Sequence, residues 1–183
     1  MSRLIGNVRQ IGIVTRDADA TMTYWASKLG VGPFFVFPEF QFDRYRYYGE
    51  PASSPVLRVG VGHSGPLQVE VIQQLNDAPS VYWDFLSGGR DGVQHVSSWP
   101  ETAEEYELIH ANLLAQGFDV AQEGSVEGYD LRCAYFTRGR GLAAMPFLEI
   151  SEAMKVPLIR ERFAEFERLN AGWNGPNPIR PIS

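Results

Sequence analysis

QIGIV at residues 10–14 and HVSSW at residues 95–99 each open on one polar residue, Gln10 and His95, and then run into apolar sequence. Each half of the chain also holds an apolar strand interrupted by one glutamate: Glu70 in LQVEVI (67–72) and Glu149 in FLEI (147–150). The offsets agree, 95 − 10 = 85 for the first pair and 149 − 70 = 79 for the second. A polar group in a strand that should be buried is costly unless something satisfies it. A divalent metal ion would satisfy four such groups at once.

The elements around these residues repeat too. Residues 8–15, VRQIGIVT, read as a strand rich in β-branched residues. Asp17 and Asp19 are N-cap candidates for a helix with Met22, Trp25 and Leu29 at helical spacing, and Gly30 stops it. Residues 34–48, FFVFPEFQFDRYRYY, predict two short strands around Pro38 and Glu39. Residues 56–75 predict a hairpin turning at Ser64-Gly65-Pro66. A linker from about Asn76 to Gly92 holds the amphipathic piece VYWDFL and then GGRDG. The pattern then restarts: a strand at VQHVSSW, a helix from Glu101 to Gln116 ended by Gly117, and strands in FDVAQEGSV, YDLRCAYFT and AAMPFLEIS. A further helix spans 156–170, followed by a Pro-rich, irregular tail lying on the surface through Trp173.

Both halves therefore read β-α-β-β-β, and unrelated segments rarely share element order, spacing and polar positions together. The predicted fold class is α+β: two tandem β-α-β-β-β modules forming a cupped mixed sheet, with a C-terminal helical extension. The boundaries are 1–76 for the first module, 77–92 for the linker, 93–152 for the second module and 153–183 for the extension. Side chains alternate across a strand. The face bearing His95 then also carries Ser97 and Trp99, that of Glu70 carries Gln68 and Ile72, and that of Glu149 carries Phe147 and Ser151. These polar faces form the concave side, and the opposite, apolar faces pack on helices.

Composition narrows the function. The chain has 183 residues, is 44% hydrophobic and 13% aromatic, and so can bury a core. Its net charge of −6, with no basic run, argues against a sequence-independent nucleic-acid partner. Cys133 is the one cysteine, which excludes an intrachain disulfide and fits a reducing cytoplasm. Neither a signal core nor a membrane-spanning apolar run is expected, and the localisation read from this is cytoplasmic.

The quoted segments carry a family resemblance. QIGIVTRDADATMTYWASKLGVGPF resembles the opening strand and helix of the vicinal oxygen chelate superfamily, and LQVEVIQ, GVQHVSSWP and PFLEIS resemble its ligand strands. That superfamily includes glyoxalase I, methylmalonyl-CoA epimerase, extradiol dioxygenases and the fosfomycin- and bleomycin-resistance proteins. The resemblance covers roughly residues 8–152. Position by position it implies the metal ligands Gln10, Glu70, His95 and Glu149, a set similar to that of eukaryotic-type glyoxalase I; the epimerases have His in the first position. It implies Glu149 as catalytic base, Glu70 as second acid/base, and a homodimer. The donors suit Zn, Ni, Co, Mn or Mg. Iron-dependent ring cleavage uses two histidines and one carboxylate, whereas His63 sits in a GHSG turn and His110 in a helix.

The implied function is a glyoxalase-like, metal-dependent isomerase, epimerase or lyase. It would abstract a proton beside a metal-bound carbonyl in a small hydrophobic or aromatic carbonyl compound or acyl thioester. Phe35, Phe37, Tyr47 and Trp99 are the expected substrate pocket, and Tyr82 and Trp83 could line its mouth or a dimer contact. No Arg or Lys matches the positions that would hold glutathione. The alternative is a small-molecule binding or sequestration protein of the bleomycin-resistance type, without catalysis. A metal-dependent transferase like the fosfomycin-resistance enzymes would use a two-His, one-Glu set, which is not present. In the plainest reading, each glutamate is a buried carboxylate held by Arg58 or Arg132, and Cys133 is an inert thiol.

Overall fold

The computed structural model describes residues 2–126, 128–139 and 146–182. The first half supplies β1 (Val8–Val14), α1 (Ala18–Leu29), β2 (Phe34–Phe40), β3 (Phe42–Tyr47), β4 (Glu50–Pro51), β5 (Leu57–Ser64) and β6 (Leu67–Gln74). Helix α2 (Val81–Ser87) joins it to β7 (Gly92–Ser98), α3 (Ala103–Ala115), β8 (Asp119–Val126), β9 (Arg132–Thr137) and β10 (Phe147–Ser151). A 3-10 turn over Glu152–Lys155, α4 (Pro157–Ala171) and β11 (Ile179–Pro181) follow. Ala143, Ala144 and Met145 of the expected last strand lie outside the described residues.

Local chemistry sets the helix ends where the sequence places them. Asp17 Oδ1 accepts from Ala20 N at 2.9 Å, and Gly30 at φ 68° turns the chain out of α1. Thr102 Oγ1 accepts from Glu105 N at 3.2 Å at the start of α3, and Gly117 (φ 79°) follows its end.

The described strands form one mixed sheet of an α+β fold, in the order β11-β2-β5-β6-β1-β7-β10-β9-β8-β3-β4. The repeat is visible in the pairing. β1 lies parallel to β6, β7 lies parallel to β10, and the two leading strands β1 and β7 pair antiparallel at the centre. On the outer face, α1 sets Ala18 and Met22 against Ile13, Val69 and Val71. α3 sets Tyr106 and Leu113 against Ala134, Phe136 and Ile150. The inner face holds the largest cluster, from Leu57, Val59 and Val61 across to Cys133, Tyr135 and Phe147. Among the described residues, no helix is long and apolar enough to cross a membrane.

Three segments behave differently from their sequence reading. The aromatic stretch does form two strands, but they part at Gln41: β2 pairs with β5, whereas β3 pairs with β8 at the other end of the sheet. The chain therefore crosses the open side of the cup there. Within the linker, the amphipathic VYWDFL piece forms a helix with Val81, Tyr82, Phe85 and Leu86 inside. The tail is not irregular throughout, because Ile179, Arg180 and Pro181 add a parallel edge strand to β2. His63 is not in a turn either; it lies in β5, 7% exposed.

α4 packs against β5 and the 3-10 turn. Phe166 stacks on Phe35 with ring centroids 4.0 Å apart, and Asn170 Oδ1 accepts from His63 N at 2.8 Å. At its start, Glu152 is fully buried and receives Arg132 Nε (3.1 Å), Arg132 Nη2 (2.8 Å), Arg132 N (3.1 Å) and Lys155 Nζ (3.0 Å). Burial alone would raise this carboxyl, but the Arg132 and Lys155 hydrogen bonds hold it down at about 2. Glu152→Gln should cost about 3 kcal/mol at neutral pH, because it leaves cations facing a neutral amide. Since the folded value is depressed, the contribution is present above the ordinary 4.5 and lost as pH falls through about 2. Urea unfolding of both proteins across that range should show the gap closing toward acid.

Candidate functional site

Cross-strand register brings the four polar residues together. In one row, Glu70 and His95 each pair with Gly12, from opposite sides. In the next row, Gln10 pairs with Gln68 and Ser97, Ser97 with Glu149, and Glu149 with Tyr135. Glu70 and His95 are thus two strands apart, roughly 9–10 Å at the spacing of neighbouring strands. They meet because Gly12 between them has no side chain. His95 Nε2 lies 3.3 Å from Glu70 Oε2 and 3.7 Å from Glu149 Oε2. A Cβ built on Gly12 would fall 1.8 Å from His95 Cε1 and 2.0 Å from Nε2.

The tautomer of His95 follows from its neighbours. Gln94 Nε2 donates to Val81 O at 3.2 Å, so Gln94 Oε1 is its acceptor end. His95 Nδ1, 2.8 Å from that oxygen, must carry a proton. In the neutral ring, Nε2 is then a bare lone pair, fully buried, without a hydrogen-bond partner and facing two carboxylates. Orientation of an imidazole through its other nitrogen is how proteins prepare a histidine for a metal.

The Glu149 side chain is 9% exposed, while that of Glu70 is more open at 17%. Burial pushes the Glu149 carboxyl up to about 7; the His95 ring lowers it, Glu70 raises it further, and the nearby hydroxyls of Ser97 and Tyr135 lower it. Tyr82 donates its hydroxyl to Tyr135 at 2.8 Å, and burial raises both phenols well above their usual range. Gln10 is 5% exposed and spends its amide nitrogen on Gln68 Oε1 at 2.6 Å, which leaves the carbonyl oxygen for a ligand. The arginines named in the plainest reading are engaged elsewhere: Arg58 with Asp19 at 2.8 Å, Arg132 with Glu152 and Glu107. Burial pushes the Cys133 thiol well up, which leaves it a poor nucleophile.

Gln10, Glu70 and Glu149 open into a cavity of about 400 Å³ on the concave face. Its wall includes Phe37 and Trp99, as the sequence suggests. Phe35 and Tyr47 are not in it. Phe35 is committed to Phe166, and Tyr47 donates to Asp84 Oδ2 at 2.6 Å at the far end of β3. Tyr82 lines the cavity floor fully buried, while Trp83 is 43% exposed on the other side of α2. The sequence reading missed Gly12, Gln94 and Tyr135. The glycine in QIGIV and the glutamine beside His95 were visible signals, but their meaning depends on cross-strand partners.

By donor type, an imidazole nitrogen, two carboxylates and an amide oxygen suit a divalent ion. Among the described residues, no group of three or more His, Cys, Asp and Glu is compact enough to form a ready-made cage.

The chain belongs to the Glyoxalase/Bleomycin resistance protein/Dioxygenase superfamily, whose model matches residues 9–136. Among solved structures it resembles methylmalonyl-CoA epimerase from Mycobacterium tuberculosis, at 14% identity over 88% of this chain and 95% of that one, with a TM-score of 0.54. It also resembles a hypothetical protein from Bacillus halodurans C-125, at 12% identity over 79% and 92% of the two chains, with a TM-score of 0.53. At these identities the likeness is one of fold. No curated protein matches the sequence.

Two outcomes follow from the geometry. Gly12→Ala should destabilise the protein by about 1–3 kcal/mol and displace the His95 ring, which thermal melts and the His95 imidazole NMR signals would register together. In chelator, the stability of the wild type relative to Glu149→Gln should fall by about 2 kcal/mol as pH rises from 4.5 to 8. The sign follows from a folded value raised above 4.5: the contribution is complete below 4.5 and lost as pH climbs through about 7. Burial, aided by Arg9, lowers His63 to about 4 and gives an opposite trend common to both proteins, so the difference between their urea midpoints isolates Glu149.

Proposed function

We propose that this chain is a metal-dependent enzyme of the isomerase, epimerase or lyase kind, moving a proton at the carbon beside a carbonyl. The observation that carries the reading is the bare, buried His95 Nε2 facing Glu70 and Glu149 in a largely apolar cavity. His95, Glu70, Glu149 and the carbonyl oxygen of Gln10 would hold the ion. When bound, a divalent ion supplies Lewis-acid polarisation of a substrate oxygen.

The residues themselves supply the rest. A carboxylate whose proton affinity lies near neutrality is matched to taking and returning a proton at pH 7, which makes Glu149 the favoured base. Glu70, 3.3 Å from the same His95 Nε2 and more exposed, would serve as the second acid/base. Ser97 and Tyr135 flank Glu149 on the neighbouring strands, and Tyr82 orients the Tyr135 hydroxyl. Phe37, Trp99 and Phe163 exclude water and offer apolar surface to an aromatic or aliphatic carbonyl compound, or to the acyl part of a thioester. Membership of the superfamily and the fold shared with an epimerase support this reading.

Elemental analysis and Co2+ titration of the untreated protein should find about one ion per chain, with His95→Ala abolishing it. In D2O, a panel of hydrophobic 2-oxo compounds and acyl thioesters should exchange the proton next to the carbonyl only with metal present. Glu149→Gln should slow that exchange at least about 100-fold. A protein that binds no divalent ion would overturn the proposal. Ligand binding that is insensitive to chelator, without exchange, would point to sequestration.

A further inference from the structure

We propose that Arg162 of α4 is a second recognition point in the cavity, and that the natural ligand is an amphipathic anion whose acid group this guanidinium holds. α4 turns Ile159, Arg162, Phe163 and Phe166 inward at i, i+3, i+4 and i+7, the stripe of a core-facing helix. Three of the four are apolar. The fourth is an arginine, half-buried in the cavity wall, with no hydrogen bond or ion pair to any described residue. The other charged residues nearby on this helix, Arg160, Glu161, Glu165 and Arg168, are exposed, and Arg168 already faces Glu165 at 3.8 Å.

An unpaired arginine in the wall of a largely apolar cavity is out of keeping with this stripe, where an apolar residue would fit better. A bound anion supplies the missing partner, and a carboxylate matches the planar fork in a two-point contact. Among the described residues of the wall, Arg162 is the one cation; the other charges are Glu39, Glu70 and Glu149. Even with a divalent ion between Glu70 and Glu149, that end has no net positive charge to draw an acid group. Arg162 thus fixes which end of the ligand lies where. The body of the ligand would lie along Phe37, Phe40, Leu57, Val59 and Phe163.

The assignment of the carbonyl to the His95 end rests on the proposed function; the binding of an anion at Arg162 does not, so the test is run in chelator. The probes are 1-anilinonaphthalene-8-sulfonate and its neutral parent N-phenyl-1-naphthylamine, which share one aromatic skeleton. Fluorescence titration of the wild type should show saturable binding of both. Arg162→Gln should weaken the sulfonate about tenfold or more while leaving the neutral parent within about twofold. Arg162→Lys should recover part of the loss. Arg160→Gln, which removes an exposed charge from the same helix, should change neither. Equal effects of Arg162→Gln on both probes, equal effects of Arg160→Gln and Arg162→Gln on the sulfonate, or no saturable binding of either probe would overturn the proposal. Absence of metal binding with a retained charge preference would overturn the enzyme reading and leave this one standing.

Discussion

The lone pair of His95 Nε2 is the constraint around which the site is arranged. Gln94 takes the only proton of the neutral ring, and Gln94 is itself fixed by the carbonyl of Val81 at the start of α2. The nitrogen that remains cannot donate, and it faces two carboxylates that cannot donate either unless protonated. Low dielectric makes such a meeting unfavourable until a positive charge enters. Burial, reinforced by Glu70, raises the proton affinity of Glu149, and the His95 ring opposes that rise.

The backbone creates that meeting and then encloses it. Gly12 leaves the gap between β6 and β7 through which Glu70 and His95 approach. α2 supplies both the acceptor for Gln94 and the buried Tyr82, and its first amide is held by Gln122 Oε1 at 3.0 Å. β3 carries the chain from the first module to the far edge of the second, so the open side of the cup is crossed by covalent structure. α4 sets a fourth wall, pinned at one end by Glu152 and at the other by Asn170. These elements bound a cavity in which Glu149 is buried and Glu70 stays the more open of the two carboxylates.

The repeat in the sequence carried most of the fold, because strand alternation and helix caps are local. Asp17, Gly30, Thr102 and Gly117 act within a few residues of themselves, and the apolar faces of residues 67–74 and 147–151 follow from a period of two. The same rule put Gln10, Glu70, His95 and Glu149 on one surface. The pocket was harder to read. Phe35 and Phe37 share a face and a strand, yet one meets Phe166 and the other meets the cavity, a distinction made by a helix more than a hundred residues away. Tyr47 resembles its aromatic neighbours in sequence but sits on a strand that pairs elsewhere.

By itself, then, the sequence determined the two modules, their helix boundaries and the four polar residues that turn toward the concave side. It could do so because each is set by periodicity or by a cap, both short-range. Only the tertiary structure decided that His95 reaches Glu70 over Gly12, that Gln94 strips its other nitrogen of choice, and that Arg162 enters an apolar wall. Those facts belong to residues brought together by register between distant strands and by the docking of α2 and α4, and no spacing along the chain encodes them.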